Sequence, residues 1–439
     1  MRRHGGALSP STPLKAVTNM TSRERVAAAL EHREPDRVPL DIGATTVTGI
    51  SAWALYRLRV ALGLSAEGEP VRVTEPYQLL GEVTDDLREA LGIDTQGMGG
   101  SKTLFGWENR DWRPWTLPDG TPVLVPAAFN TQPEPDGSVL QYPEGDRACE
   151  PCARMPAGGY YFDTLCRQPP LDEETLDPAD NLQEFEPLSD AELAHYASTA
   201  ERLHRETDHA IVCGMPGLGF GDIALVPAMW IKHTRGIRDV EEWYASLALR
   251  KDYVKSVFEG QLEIGLANLT RIAEATGDRI QVAMVTGADF GAQRGLFASV
   301  ASYRELFKPY HVAVNEWIHA HTPWKTFIHS CGAVEELIED FIEAGFDILN
   351  PVQCSAAGMD PRHLKDTYGD RITFWGGGVD TQRTLPFGTP EEVRREVLSR
   401  LEVFAPGGGF VFNAIHNIQQ GTPPENLVAM FRAIEEFSR

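Results

Sequence analysis

Long hydrophobic runs, positive charge and cysteine are all scarce in this chain of 439 residues. No stretch of about 18 apolar residues occurs, which excludes a membrane span. The opening MRRHGGALSPSTPLKAVTN has arginines but no hydrophobic segment behind them, which excludes a secretory signal. A cytoplasmic protein is therefore expected, with residues 1–19 as a disordered tail or a segment ahead of a true start at Met20. Lysine and arginine number 40 against 63 aspartates and glutamates, a formal charge of −23. A surface that grips duplex phosphates needs clustered basic residues, so nucleic acid is not an expected partner. Six cysteines, at 149, 152, 166, 213, 331 and 354, are too sparse for a disulfide framework.

What is present is a repeat. From about residue 205 a short apolar run, a glycine-containing corner and an amphipathic helix follow one another several times. The runs are HAIVCGM (209–215), RIQVAMVTGADFG (279–291), KTFIHSCG (325–332), DILNPVQ (347–353), ITFWGGGVD (372–380) and GGFVFNAIH (408–416). Near-continuous hydrophobic strands separated by helices indicate parallel pairing with both faces covered. Helices are expected over Ala333–Ala344, Pro390–Phe404 and Pro424–Phe437. Near the start, Thr21 with Glu24 forms a capping box for a helix that leads into RVPLDIG (37–43), and LGIDTQGM (91–98) offers a further strand. The fold class expected is α/β, a (β/α)8 TIM-type barrel over residues 20–439. An open doubly wound sheet is the alternative, though no GxGxxG follows an early strand. Residues 100–190 break the rhythm; turn pairs such as PDGTP and PDGSV mark a β-hairpin insertion.

Chemistry in a parallel barrel collects at the carboxyl ends of the strands. Those ends carry Asp289, His329 with Cys331, Gln353 with Cys354, Asp380, and Asn413 with His416. Residues i and i+2 share a side of a strand, so His329 and Cys331 aim at one point. Imidazole and thiolate suit Zn2+, and a catalytic site needs a third protein ligand with one position left open. His416 is the best placed third donor, with Cys354 and Asp289 as alternates. CEPC at 149–152 has no second pair at zinc-finger spacing and is taken as free surface thiols, while Cys166 and Cys213 are taken as small apolar fillers. Tyr161, in AGGYYFD, is a cover for a ring-shaped substrate or else a hydrophobic hairpin contact.

With these motifs on the page, the chain resembles the uroporphyrinogen decarboxylase superfamily. The carriers are MTSRERVAAALEHREPDRVPLDIG, LFKPYHVAVNEWIH, FIHSCGAVEELIEDFIEAGFDILNPVQ and GTPPENLVAMF. The resemblance implies a (β/α)8 barrel with its cleft at the strand carboxyl ends. True decarboxylases of the superfamily carry an RQAGR element that grips substrate carboxylates and an FSDI stretch whose aspartate sits over the pyrrole nitrogens. Here IGATTVTGISAWAL (42–55) stands in place of the first, with no arginine before Arg57, and FSDI is absent. The other branch is similar to methylcobamide:coenzyme M methyltransferases, which hold zinc with H-x-C and a cysteine on the last strand. His329 and Cys331 match, and His416 falls where that cysteine is expected, a departure that still offers a His2Cys set.

The resemblance implies methyl transfer between a small thiol or methyl ether and methylcobalamin. No D-x-H-x-x-G occurs here to place a histidine on cobalt, so the corrinoid would come on a partner protein. Asp289 and Asp380 would orient ligands or substrate, and Gln353, Asn413 and Tyr161 would contact substrate. A homodimer is compatible with the sequence. Two alternatives stay open: a metal-free decarboxylase, in which His416 donates a hydrogen bond to substrate, and a non-catalytic barrel that partners a corrinoid protein.

Overall fold

The computed structural model describes residues 20–438, so the tail expected at 1–19 lies outside the described residues. Thr21 accepts from the Glu24 backbone and the Glu24 carboxylate returns to the Thr21 backbone, a reciprocal cap that starts helix α1 (Ser22–Leu30). Seven parallel strands follow in one curled sheet: β1 (Thr95–Met98), β2 (Ala210–Gly214), β3 (Val282–Thr286), β4 (Lys325–His329), β5 (Ile348–Asn350), β6 (Thr373–Trp375) and β7 (Phe410–Val411). Each pairs with its neighbour in sequence, so the order across the sheet runs β7 to β1 without a crossing. Helices α2 (Val240–Leu249), α3 (Lys251–Thr276), α4 (Lys308–His321), α5 (Glu335–Glu343), α6 (Pro361–Tyr368), α7 (Pro390–Phe404) and α8 (Pro424–Phe437) cover its outer face. Among the described residues no helix is long and apolar enough to cross a membrane.

Strand residues alternate between two apolar clusters, as a period of two requires. Val212, Val282, Phe327, Ile348, Trp375 and Val411 meet inside the curl, where Val26, Ala29 and Leu30 of α1 join them as a plug. Ile211, Cys213, Ala283, Ile328, Leu349 and Phe374 face outward into the layer shared with the helices. Cys213 is thus an apolar filler, whereas Cys166 is exposed and Cys152 of the CEPC pair is buried with its thiol on the Gln141 carbonyl.

The eighth position of the barrel is irregular. RVPLDIG contributes a single bridge, Leu40 to Phe412, instead of a full strand. Its backbone nevertheless bonds on both sides: Phe412 N–H donates to the Pro39 carbonyl at 2.8 Å, Asp41 N–H to Phe412 at 2.9 Å, and Asp94 N–H to Leu40 at 2.8 Å. The architecture is a distorted (β/α)8-type barrel in which a short extended segment spans the gap between β7 and β1. Pro39 cannot donate and the adjacent residues bend, so side chains complete the closure. Asp94, fully buried, receives Arg25 at 2.6 Å, Arg37 at 2.8 Å and the Leu40 N–H at 2.9 Å. Asp41 receives the Thr95 hydroxyl at 2.6 Å and the Trp375 indole at 2.8 Å, tying the segment to strands β1 and β6.

The chain leaves the barrel between β1 and β2. Two small sheets form there, one from Gln132–Pro133, Val139–Gln141, Ala153–Met155 and Asp163–Thr164, the other from Arg113–Thr116 and Pro122–Val125 joined to Val71–Glu75 and Leu80–Gly81. The second sheet therefore draws two strands from ahead of residue 100. Phe105, Phe129 and Phe162 pack edge to face, with the Phe105 and Phe162 centroids 5.9 Å apart, and hold the hairpins together.

Removing Asp94 leaves the buried Arg25 with Asp36 alone and takes the acceptor from Arg37 and the Leu40 N–H. Asp94→Ala is expected to lower the unfolding free energy by ~3–5 kcal/mol, read as a fall in the urea midpoint.

Candidate metal centre

His329 ends strand β4. Phe327, two residues earlier, lies in the inner cluster, so the imidazole points into the mouth by the same alternation. Asn350 ends the adjacent strand β5 and faces it: His329 Nδ1 and Asn350 Oδ1 are 2.6 Å apart. The Asn350 amide nitrogen donates to the Trp375 carbonyl at 2.7 Å, which leaves its oxygen as the acceptor and puts the proton of His329 on Nδ1. The Nε2 lone pair is left facing the mouth, with Cys331 Sγ 3.4 Å from it.

Cys331 sits on the corner that follows the strand. Its N–H donates to Asp289 Oδ1 at 2.7 Å, and Gly332 turns the chain with φ +88°. A Cβ on Gly332 would stand 2.3 Å from the Gly291 carbonyl oxygen, so the corner after β4 packs directly on the backbone of the corner after β3. His416 arrives from the loop after β7, which is held by Gly378 N–H to Asn413 at 2.9 Å and Ile415 N–H to Val379 at 3.1 Å. Its ring centroid lies 5.3 Å from that of His329, at 73°. One ligating atom from each of His329, Cys331 and His416 falls within 4.8 Å of the others.

Zinc bonds of about 2.3 Å to sulfur and 2.0–2.1 Å to nitrogen at tetrahedral angles set a sulfur-to-nitrogen edge of about 3.5 Å. The His329–Cys331 edge already has that length. The third donor, on His416, lies within 4.8 Å of the other two.

Burial makes both imidazoles poor bases. Desolvation lowers His329 to about 4, against a smaller upward pull from its Asn350 hydrogen bond. Desolvation and then the neighbouring His329 lower His416 to about 3. Both rings are therefore neutral near pH 7, the form that binds metal. Burial, reinforced by Asp289, raises the Cys331 thiol well above its ordinary value. A cation reverses that balance, because a coordinating thiol is deprotonated outright.

The remaining residues singled out in the sequence fall in different places. Asp289 is close to the centre, its Oδ1 4.0 Å from His329 Nε2, and burial raises its carboxyl. Gln353 accepts from Gly332 N–H at 2.8 Å and so supports the corner that carries Cys331. Asn413 donates to the Asp41 carbonyl at 2.9 Å and to the Thr48 carbonyl at 3.3 Å, pinning the segment that spans the barrel gap. Asp380 accepts from Gln382 and Arg383 N–H at 2.6 and 3.0 Å as a turn cap. It lines a separate surface cleft with Arg383 and Arg400. Cys354 donates to the Val352 carbonyl and stays outside the cluster. Tyr161 is 42% exposed on the hairpins, edge-on to Tyr160.

Asp222 was not legible as a site residue. It follows β2 in a loop without periodicity, and its carboxylate accepts from Ala224 N–H at 2.9 Å. Burial, with a smaller push from Asp289, raises its carboxyl to about 7. The available signal was FGDI at 220–223, one residue different from FSDI.

In metal-free protein the buried imidazoles resist protonation down to about 4 and about 3, while the unfolded chain takes up protons near 6.5. Stability is then lost as pH falls from about 6.5 towards 4. The urea midpoint of chelator-treated protein should drop across that window, and less steeply in His416→Gln; identical slopes would show that His416 is not buried neutral.

A family model described as uroporphyrinogen decarboxylase (URO-D) matches residues 162–437. The uroporphyrinogen decarboxylase of Pseudoalteromonas translucida is 36% identical over 89 residues, covering 19% of this chain and 24% of that protein. The chain thus spans about a quarter of that relative's length. The uroporphyrinogen decarboxylase of Chromohalobacter salexigens is 24% identical over 294 residues, covering 64% of this chain and 74% of that protein. A solved methyltransferase from Methanosarcina mazei shares the fold, with a TM-score of 0.52 over 95% of this chain and 99% of that one at 18% identity. Because the family model extends over more than half of its length, the chain belongs to the uroporphyrinogen decarboxylase (URO-D) family.

Proposed function

We propose that this protein is a zinc-dependent methyltransferase that moves a methyl group between a small thiol or methyl ether and a corrinoid carried by a partner protein. The observation that carries the reading is the convergence of His329, Cys331 and His416 within 4.8 Å at the barrel mouth. Three such donors form the ligand set of a catalytic zinc, which keeps one position for a reactant. When bound, zinc supplies a Lewis acid that ionises a thiol at neutral pH or polarises an ether oxygen.

The chain's own residues prepare the site. Asn350 fixes the His329 tautomer, Asp289 fixes the Cys331 backbone, and burial keeps both rings unprotonated. Asp222 and Asp289, whose carboxyls burial raises, offer a polycarboxylated substrate no counter-charge at the mouth. Arg57 does not relieve this, because it stacks on Trp53 at 4.1 Å and pairs with Asp119 at 3.4 Å. The sequence holds no D-x-H-x-x-G, so the corrinoid is assigned to a partner that docks at the mouth. The fold shared with the Methanosarcina mazei methyltransferase is compatible with this chemistry.

A second reading, metal-free decarboxylation, is favoured by the desolvated Asp222 in FGDI and by the names of the curated relatives.

Zinc analysis separates the two. Protein purified without chelator should hold zinc near one equivalent, and Cys331→Ser or His416→Ala should lose it; no metal in the wild type would leave decarboxylation. Asn350→Leu removes the partner of Nδ1 and is expected to weaken zinc binding by about 10- to 100-fold, measured by competition with a chromophoric chelator.

A further inference from the structure

A cleft of about 770 Å³ opens between the loop after β6 and one face of α7, and none of His329, Cys331 and His416 lines it. The loop wall carries Arg383 and the helical turn Thr384–Phe387. On α7 the lining residues are Glu392, Arg395, Glu396, Ser399 and Arg400, whose spacing of three and four puts them on a single face. A space of this size suits a small molecule. Counted with RVPLDIG as the first strand, β6 is the seventh of the barrel, and the loops after the seventh and eighth strands are a frequent phosphate site in closed barrels.

Three arginines and three acids face the cleft, so its formal charge cancels, but the two sets are not equally free. Asp380 is engaged by the Gln382 and Arg383 N–H groups. Glu392 Oε2 accepts from the Thr389 N–H at 2.7 Å and from its hydroxyl at 2.9 Å, as part of the cap of α7. Glu396 Oε1 accepts from the Asp380 N–H and from Arg400, each at 3.2 Å. Arg383 and Arg395 differ. Both are exposed, and among the described residues neither guanidinium has an ion pair or a hydrogen bond; Arg395 lies near Glu392 without pairing with it. The adjacent Arg394, by contrast, pairs with Glu391 and Glu436. The hydroxyls of Thr384 and Ser399 are likewise uncommitted among the described residues. Phe387, 83% exposed, adds an aromatic face to the same cleft.

We propose that this cleft is a second binding site, one that takes a phosphate monoester with an aromatic remainder. The three terminal oxygens of a phosphate can accept from both free guanidiniums and a hydroxyl at once, each through a charge-assisted bond. A carboxylate has two oxygens, which a single guanidinium fork already occupies. Phe387 offers its ring to the remainder. The site is independent of whether the mouth carries zinc, because it shares no side chain with the metal centre.

The test titrates the full-length protein calorimetrically with phenyl phosphate, inorganic phosphate and benzoate. Wild type should bind phenyl phosphate most tightly, inorganic phosphate less tightly, and benzoate at least about tenfold more weakly than phenyl phosphate. Arg383→Gln and Arg395→Gln should each weaken phenyl phosphate about tenfold, and more salt should do the same for wild type. Neither arginine has a partner to lose, so both variants should melt with wild type. Phe387→Ala should weaken phenyl phosphate and leave inorganic phosphate unchanged. His416→Ala, which alters the mouth alone, should bind phenyl phosphate as wild type does. The site is overturned if phenyl phosphate fails to bind wild type, if either arginine variant binds it equally well, or if His416→Ala abolishes binding. Equal affinity for benzoate would overturn the choice of a phosphate.

Discussion

The site depends on barrel closure across the gap between β7 and β1. His329 ends β4 and His416 follows β7, three strand spacings away, or ~14 Å along a flat sheet. Their rings are 5.3 Å apart only because the sheet curls back on itself. What holds the curl is a segment with one formal bridge, secured at its base by Asp94 with two arginines and inside the barrel by Asp41 with Thr95 and Trp375. A buried carboxylate is tolerable here because each is saturated with donors. Asn413, the residue after the Phe412 bridge, belongs to the same fastening and lies in the loop that delivers His416.

Burial then decides the electrostatics. The same desolvation that strips protons from the two imidazoles keeps them on Cys331 and raises Asp222. The mouth is therefore set with neutral nitrogen donors, a protonated sulfur and two reluctant acids. Such a place offers a divalent cation a set of donors and offers a polyanion no positive charge. The acidic surface of the chain as a whole, with its charge of −23, adds to both tendencies.

Legibility followed periodicity. The late strands and their helices were readable because each alternates or repeats cleanly, and Pro390–Phe404 and Pro424–Phe437 occur with the bounds expected. The spacing of His329 and Cys331 was readable for the same reason, since a strand fixes which residues share a side. Direction was not readable beyond the strand ends. Asp380 and Asn413 were placed at the mouth by position alone, yet one caps a turn and the other laces loops together, because backbone N–H and C=O groups compete for such side chains. Asp222 was missed for the opposite reason: it comes from a long aperiodic loop, and only packing brings it near Asp289. RVPLDIG looked like a full strand, but its proline and its bends leave a single bridge.

The contact between Gly332 and Gly291 constrains how this centre can change over time. With no space for even a methyl group between the two corners, the sulfur donor and the neighbouring carboxylate are carried on one rigid unit. Neither can drift without the other. The imidazole at 416 hangs from a separate loop and is free of that coupling, so a substitution there leaves the H-x-C corner in place.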